Sequence, residues 1–273
     1  MKPRDVAALA RPLAAVALLA ACATVPISGR SQLVLVSEQD VVRLADQHHA
    51  KFMQEQSQKG SIVTASDPSA ARDVAMVERV GRKIIAAAGL ADRYQWQITL
   101  VRDKQANAFV LPNGKIVVYT GILPAAAGEP GLAAILGHEV AHVVARHSAE
   151  RVSQNMLAQV GMQAASVAAA IYDPRYQAIT GAALGLGLQV GVMLPYSRAH
   201  ESEADHLGLI YMAKAGYDPA EAIALWERMD TGGARGPEFL STHPNPATRR
   251  AHLRTLLPDA QRYYRDPSLP LPR

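Results

Sequence analysis

Hydrophobic spacing divides the chain into recognisable stretches. Val74, Val77, Val80, Ile84 and Ile85 recur at helical intervals, predicting a helix over 69–88 that Gly89 closes. A less regular helix is predicted over 41–58. Strict alternation follows: Trp96, Ile98 and Leu100 interleave with Gln95, Gln97 and Thr99, the pattern of a half-buried strand. Residues 109–111 and 115–119 flank Pro112-Asn113-Gly114, which reads as a hairpin around an Asn-Gly turn. A small sheet therefore precedes the long apolar segment that begins at Pro130-Gly131 and runs through Leu132, Ala133, Ala134, Ile135 and Leu136 to Val140, Val143 and Val144. Its density of apolar residues predicts a buried helix with proline in its first turn.

Inside that helix stand two histidines and a glutamate, His138-Glu139-Val140-Ala141-His142. Such groups are costly in an apolar helix unless they have partners. The i, i+4 spacing puts His138 and His142 on one face, where both can ligate one metal ion, with Glu139 beside it as a candidate general base. The competing reading, an accidental match, weakens with each further ligand found. A catalytic zinc generally takes three protein ligands and keeps one open position. The segment 197–208 is the richest source of a third, holding His200, Glu201, Glu203, Asp205 and His206. His147, five residues past His142, points away from the pair on an ideal helix, and His48-His49 has no acidic or cysteine partner in register.

The two ends and the middle of the chain modify this picture. Lys2, Arg4 and Arg11 precede an apolar run from Leu13 to Ala21, the layout of a secretory signal too short to span a bilayer stably. The run closes on Leu19-Ala20-Ala21-Cys22, which resembles a bacterial lipobox; the alternative is an ordinary signal with a coincidental cysteine. Cys22 is the only cysteine, so the chain forms no internal disulfide and acylation is the evident use for that thiol. On this reading residues 1–21 are a lipoprotein signal peptide, 22–40 the lipidated N-terminus and a tether whose apolar stretch 33–36 suits an ending in a strand or docking segment, 41–265 one catalytic domain and 266–273 a tail. Several acyl chains exceed the marginal membrane hold of one. Ala23 in place of aspartate after the cysteine implies, by resemblance to lipoprotein sorting rules, the outer membrane facing the periplasm.

The net charge of +4 comes partly from the signal, no Lys/Arg cluster interleaves with aromatics, and aromatics are 5% of residues, so a nucleic-acid partner is not indicated. Residues 156–172 and 176–196 are almost free of charge, but the second is diluted by Gly181, Gly185, Gly187, Gln189 and Gly191. Buried or cleft-covering helices fit them better than a membrane hairpin.

Taken together, H-E-x-x-H at 138–142, Glu201-x-Glu203-Ala204-Asp205 and Thr242-His243-Pro244, with Gly29-Arg30-Ser31-Gln32-Leu33 and Asn107-Ala108-Phe109, resemble the HtpX and CAAX-prenyl-protease superfamily of zinc metallopeptidases. The lipobox and short body look most like its periplasmic lipoprotein members, the LoiP and BepA type, without their appended helical repeats. The resemblance implies an α+β, mainly helical, zincin-like (gluzincin) domain with a small β-sheet beside the H-E-x-x-H helix, and one Zn2+ held by His138, His142 and Glu201. It implies Glu139 as general base of peptide hydrolysis and Asp205, i+4 from Glu201, as the carboxylate that holds a ligand imidazole in its tautomer. Glu203 is expected to face elsewhere, on the surface or in a salt bridge, and His200 and His206 to be surface or packing residues. His243, in a rigid loop before a helix capped by Asn245 with Pro246 first, is a possible regulatory fourth ligand. An extended substrate is expected along strand 115–119. The implied substrates are misfolded or misassembled envelope proteins, with outer-membrane assembly machinery as a further partner; the alternatives are an assembly factor with a capped zinc and an integral-membrane protease.

Overall fold

The computed structural model describes residues 22–25, 28–172, 197–230 and 246–271. The chain divides into two compact units, one comprising 1–38, 148–193 and residue 273, the other 39–147 and 194–272.

In the first unit, strands β1 (Cys22–Thr24) and β2 (Ser31–Leu33) form an antiparallel hairpin in which Ala23 faces Gln32. A strand forms at the edge of the apolar stretch, paired back on β1 through a closed turn: Val25 N–H donates to the Arg30 carbonyl at 2.8 Å. Arg30 forks onto the buried Glu150 carboxylate through two parallel bonds of 2.9 and 2.7 Å, and Ser153 Oγ accepts from Leu35 N–H at 2.8 Å. Glu150 and Ser153 belong to helix α5 (His147–Tyr172), so residues 148–172, expected within the catalytic domain, cluster with the N-terminal segment. Residues 173–196, the second apolar stretch, lie outside the described residues. Among the described residues no helix is long and apolar enough to cross a membrane.

The second unit is mainly helical around a four-stranded mixed sheet. Helices α1 (Glu38–Gln58) and α2 (Ala71–Ala87) bracket β3 (Ile62–Val63), and the sheet continues with β4 (Gln97–Val101), β5 (Ala108–Leu111) and β6 (Lys115–Tyr119) in the order β3-β4-β6-β5. The Asn-Gly hairpin forms as expected, with Gly114 at φ +79°, a conformation glycine adopts without steric cost. Alternation along β4 is not clean: Thr99, Leu100 and Val101 are all buried. β4 lies inside the sheet, and α2 comes so near one face that Ile98 fills the space beside Gly81. β6 is interior as well, parallel to β4 and antiparallel to β5. Both its ladder edges are in use, so it cannot receive the extended substrate expected there. Among the described residues the strand at the sheet edge beside it is β5.

After a short helix α3 (Leu123–Ala126) comes α4 (Glu129–Val144), in which every residue from Gly131 to His142 is buried. Its first residue, Glu129, is held by Arg79 Nε of α2 at 2.8 Å and by Tyr217 Oη at 2.8 Å, placing a carboxylate where the helix dipole favours one. Helix α6 (Arg198–Lys214) is the principal neighbour of α4 and is flanked by α7 (Glu221–Asp230) and α8 (Pro246–Arg265). Ser197 caps α6, its hydroxyl accepting from His200 N–H at 3.2 Å.

At the α4–α6 crossing the two backbones touch. A Cβ on Gly137 would lie 2.8 Å from the Gly208 carbonyl oxygen, and one on Gly208 would lie 2.8 Å from His138 N. Both obstacles are main chain, which cannot rotate aside. Gly208→Ala should therefore lower stability by about 1–3 kcal/mol in urea unfolding, the cost of overpacking a close-fitted interior. An unchanged unfolding midpoint would show that the helices can part freely.

Candidate metal centre

His138 and His142 stand one turn apart on α4, and Glu201 enters from the first turn of α6. His138 Nε2 lies 3.0 Å from His142 Nε2 and 3.5 Å from Glu201 Oε2, while His142 Nε2 lies 3.4 Å from Glu201 Oε1. Donors sharing a tetrahedral zinc at about 2.0–2.2 Å are set roughly 3.3–3.6 Å apart, so the residues present fit the ion with small adjustment. All three side chains are buried. Burial holds the His142 imidazole well below its usual pKa, against the pull of Glu201, and keeps it in the neutral form that ligates. Glu139, next to His138 on the same helix, is 5% exposed.

The carboxylates of α6 divide the outer contacts among them. Asp205 Oδ1 is 3.1 Å from His138 Nδ1, the nitrogen facing away from the donor cluster. Burial opposes ionisation of Asp205, but the Arg249 charge and the His138 bond overcome it and hold the carboxyl below its ordinary pKa. Glu203 does not reach the surface: it is 7% exposed, and its Oε2 is 2.8 Å from His147 Nε2. His147 in turn does not point away from the pair, since its Nδ1 is 2.8 Å from His142 Nδ1. The ideal-helix expectation fails because α4 ends before it. Arg146 takes φ +55°, which breaks the helical path, and His147 follows it with its ring against His142. His200 packs its ring on His147 at a centroid distance of 4.3 Å, and His206 pairs with Asp259 at 3.1 Å on a part-exposed face. His49 belongs to α1, away from this group. His243 lies outside the described residues.

Sequence reasoning missed Arg249. On α8 and only 5% exposed, it donates from Nη1 to Glu201 Oε2 at 2.6 Å and from Nε to the Asp205 carboxylate at 2.9 and 2.8 Å. Its Nη2 approaches the two ring nitrogens of His138 at 2.7 and 2.9 Å, and its guanidinium lies over Trp226 of α7, 4.0 Å from the ring centroid. The available signal was arithmetic: two buried carboxylates beside one another need a cation, and Arg249 and Arg250, four and five residues beyond Asn245, were candidates.

Comparison with known proteins agrees with this chemistry. The mitochondrial metalloendopeptidase OMA1 of Schizosaccharomyces pombe is 40% identical over 240 residues, covering 87% of this chain and 67% of its own length. The Saccharomyces cerevisiae protein of that name is 33% identical over 258 residues, 88% of this chain and 70% of its own. The beta-barrel assembly-enhancing protease of Escherichia coli is 27% identical over 205 residues, 72% of this chain and 40% of its own. The expected location, a bacterial outer membrane facing the periplasm, is overturned by the two yeast relatives, which match most of the chain at higher identity and are mitochondrial by name. The profile of peptidase family M48 matches residues 71–257, from α2 through Glu201 to the Arg249 helix. With the family's zinc chemistry and a donor set that fits the ion, the chain belongs to peptidase family M48 and is a zinc-dependent metalloendopeptidase.

Proposed function

We propose that this peptidase cleaves unfolded or misassembled protein chains, which it takes as extended segments along the open edge of β5. The observation that carries the reading is the packing of β5 against α4, the helix that bears His138, Glu139 and His142. Tyr119 N–H donates to the Asn107 carbonyl at 3.0 Å. Antiparallel alternation from that pair directs the main-chain groups of Phe109 and Leu111 toward β6 and those of Ala108 and Val110 toward the open edge. Main-chain pairing there gives affinity with little sequence selectivity, which suits substrates recognised by being unfolded.

His138, His142 and Glu201 would hold the zinc. When bound, the ion supplies a Lewis acid that polarises the scissile carbonyl and makes water acidic enough to deprotonate near neutral pH. Glu139 accepts the proton of the attacking water and delivers it to the departing amine, a transfer that its place beside His138 allows. Asp205 keeps the proton of His138 on Nδ1, and Arg249 balances the charge of Glu201 and Asp205. We extend the proposal to Cys22, whose thiol would carry lipid and hold the protein to a membrane surface; its support is the small-residue run before the chain's only cysteine.

Glu139→Gln should abolish cleavage of casein while zinc content stays at one ion per chain; hydrolysis at the wild-type rate would overturn the assignment. Val110→Pro removes one outward N–H without touching the β6 ladder, and kcat/KM for an unfolded substrate should fall about three- to tenfold, as for loss of one hydrogen bond. An unaltered value would place the substrate elsewhere. Arg249→Gln leaves two buried carboxylates without their cation and should cost about 3–5 kcal/mol in urea unfolding of the metal-free protein.

A further inference from the structure

We infer that His147 and Glu203 are positioning residues: together they fix His142 as the tautomer that bears its proton on Nδ1, so that Nε2 presents a lone pair to the metal. The inference rests on the zinc site described above and assigns work to two residues outside its ligand set.

The direction of the relay follows from its far end. An ionised carboxylate can only accept, so the 2.8 Å contact between Glu203 Oε2 and His147 Nε2 requires the proton on that nitrogen. Neutral His147 then has a bare Nδ1. At 2.8 Å from it stands His142 Nδ1, which must therefore be the donor, leaving His142 Nε2 unprotonated among His138 and Glu201. Were Glu203 replaced by a donor, His147 could carry its proton on Nδ1 and push that of His142 onto Nε2, where it would occupy the ligand position. A carboxylate two residues beyond Glu201 thus decides which nitrogen of His142 is free.

The local structure is built for this contact. Five residues along a continuous helix turn a side chain about 140° from its starting direction, which would have carried His147 to another face. The left-handed Arg146 brings it back, at a position where a non-glycine residue is strained. His147 is fully buried, and its ring is stacked on His200 with planes 24° apart, which restrains its orientation. The two ligand histidines accordingly have different outer partners, Asp205 directly for His138 and Glu203 through His147 for His142.

The test compares zinc affinity of the full chain, by chelator competition, with the tautomer of His142 in the zinc-loaded protein, read from nitrogen-15 shifts of its imidazole. His147→Phe keeps an aromatic ring to stack but offers no acceptor; it should bind zinc about 10- to 100-fold more weakly. His147→Asn places an oxygen near the site of Nδ1 and should stay within about threefold of wild type, with the Nδ1–H signal of His142 retained. Zinc affinity of the Phe variant equal to wild type, or an Asn variant as impaired as Phe, would overturn the inference. Should the Phe variant fail to fold, Glu203→Gln decides: its amide can donate to His147 and release the tautomer, so weaker zinc binding supports the relay and unchanged binding overturns it. A wild-type chain that binds no zinc overturns the metallopeptidase reading and the relay together. Zinc bound normally by wild type and by every variant overturns the relay alone.

Discussion

The close approach of two backbones at Gly137 and Gly208 is the constraint on which the centre depends. Zinc-ligand distances leave little tolerance, and the ligands come from helices some sixty residues apart in sequence. With a Cβ at either glycine the helices would be forced apart at the level of His138, and Glu201, one helix over, would withdraw with them. Glycine is a poor helix former, and its presence in the middle of both α4 and α6 trades helix propensity for that proximity. The buried apolar residues around it, Leu132, Ile135, Leu136, Leu207 and Ile210, supply the area that offsets the loss, each burial contributing about 1.5–3 kcal/mol.

Bringing the helices together creates an electrostatic problem that the same elements solve. Glu139, Glu201, Glu203 and Asp205 are all buried within a short stretch of two helices. Left alone, such carboxylates would take up protons and cease to be ligands or bases. Arg249 answers two of them at once through the planar fork of its guanidinium, and Trp226 covers its face. Neutral His147 gives Glu203 a hydrogen bond rather than a charge. A bound metal would add positive charge to the same network.

Much of the second unit was legible in the chain. The spacing of Val77, Val80 and Ile84, the Asn-Gly turn and the apolar helix from Pro130 onward each specify a local structure through neighbours a few residues away, and the elements lie within a few residues of their expected bounds. What escaped were relations between elements. The sequence of strand 115–119 carries no mark of sheet order, whereas β4 and β6 pair directly in parallel although β5 separates them along the chain. A continuous helix through Arg146 would carry His147 away from the pair, and nothing in the arginine side chain announces a positive φ. Arg249 gave no signal of its own, since an arginine on an amphipathic helix ordinarily faces water.

By itself, then, the sequence determined the pair of histidines that can share one ion, because that depends on residue type and on spacing within one helix; through resemblance of motifs far apart in the chain it also pointed to Glu201 and the family. It did not determine compartment, since a short leader pattern is weaker evidence than likeness over most of the chain. Only the tertiary structure decided which strand has an open edge, which cation neutralises the carboxylates, and that Glu203 turns inward to His147. Those outcomes depend on where separate helices and strands meet, and that is set by packing over the whole unit, by two glycines at one crossing, and by a helix break at a single residue.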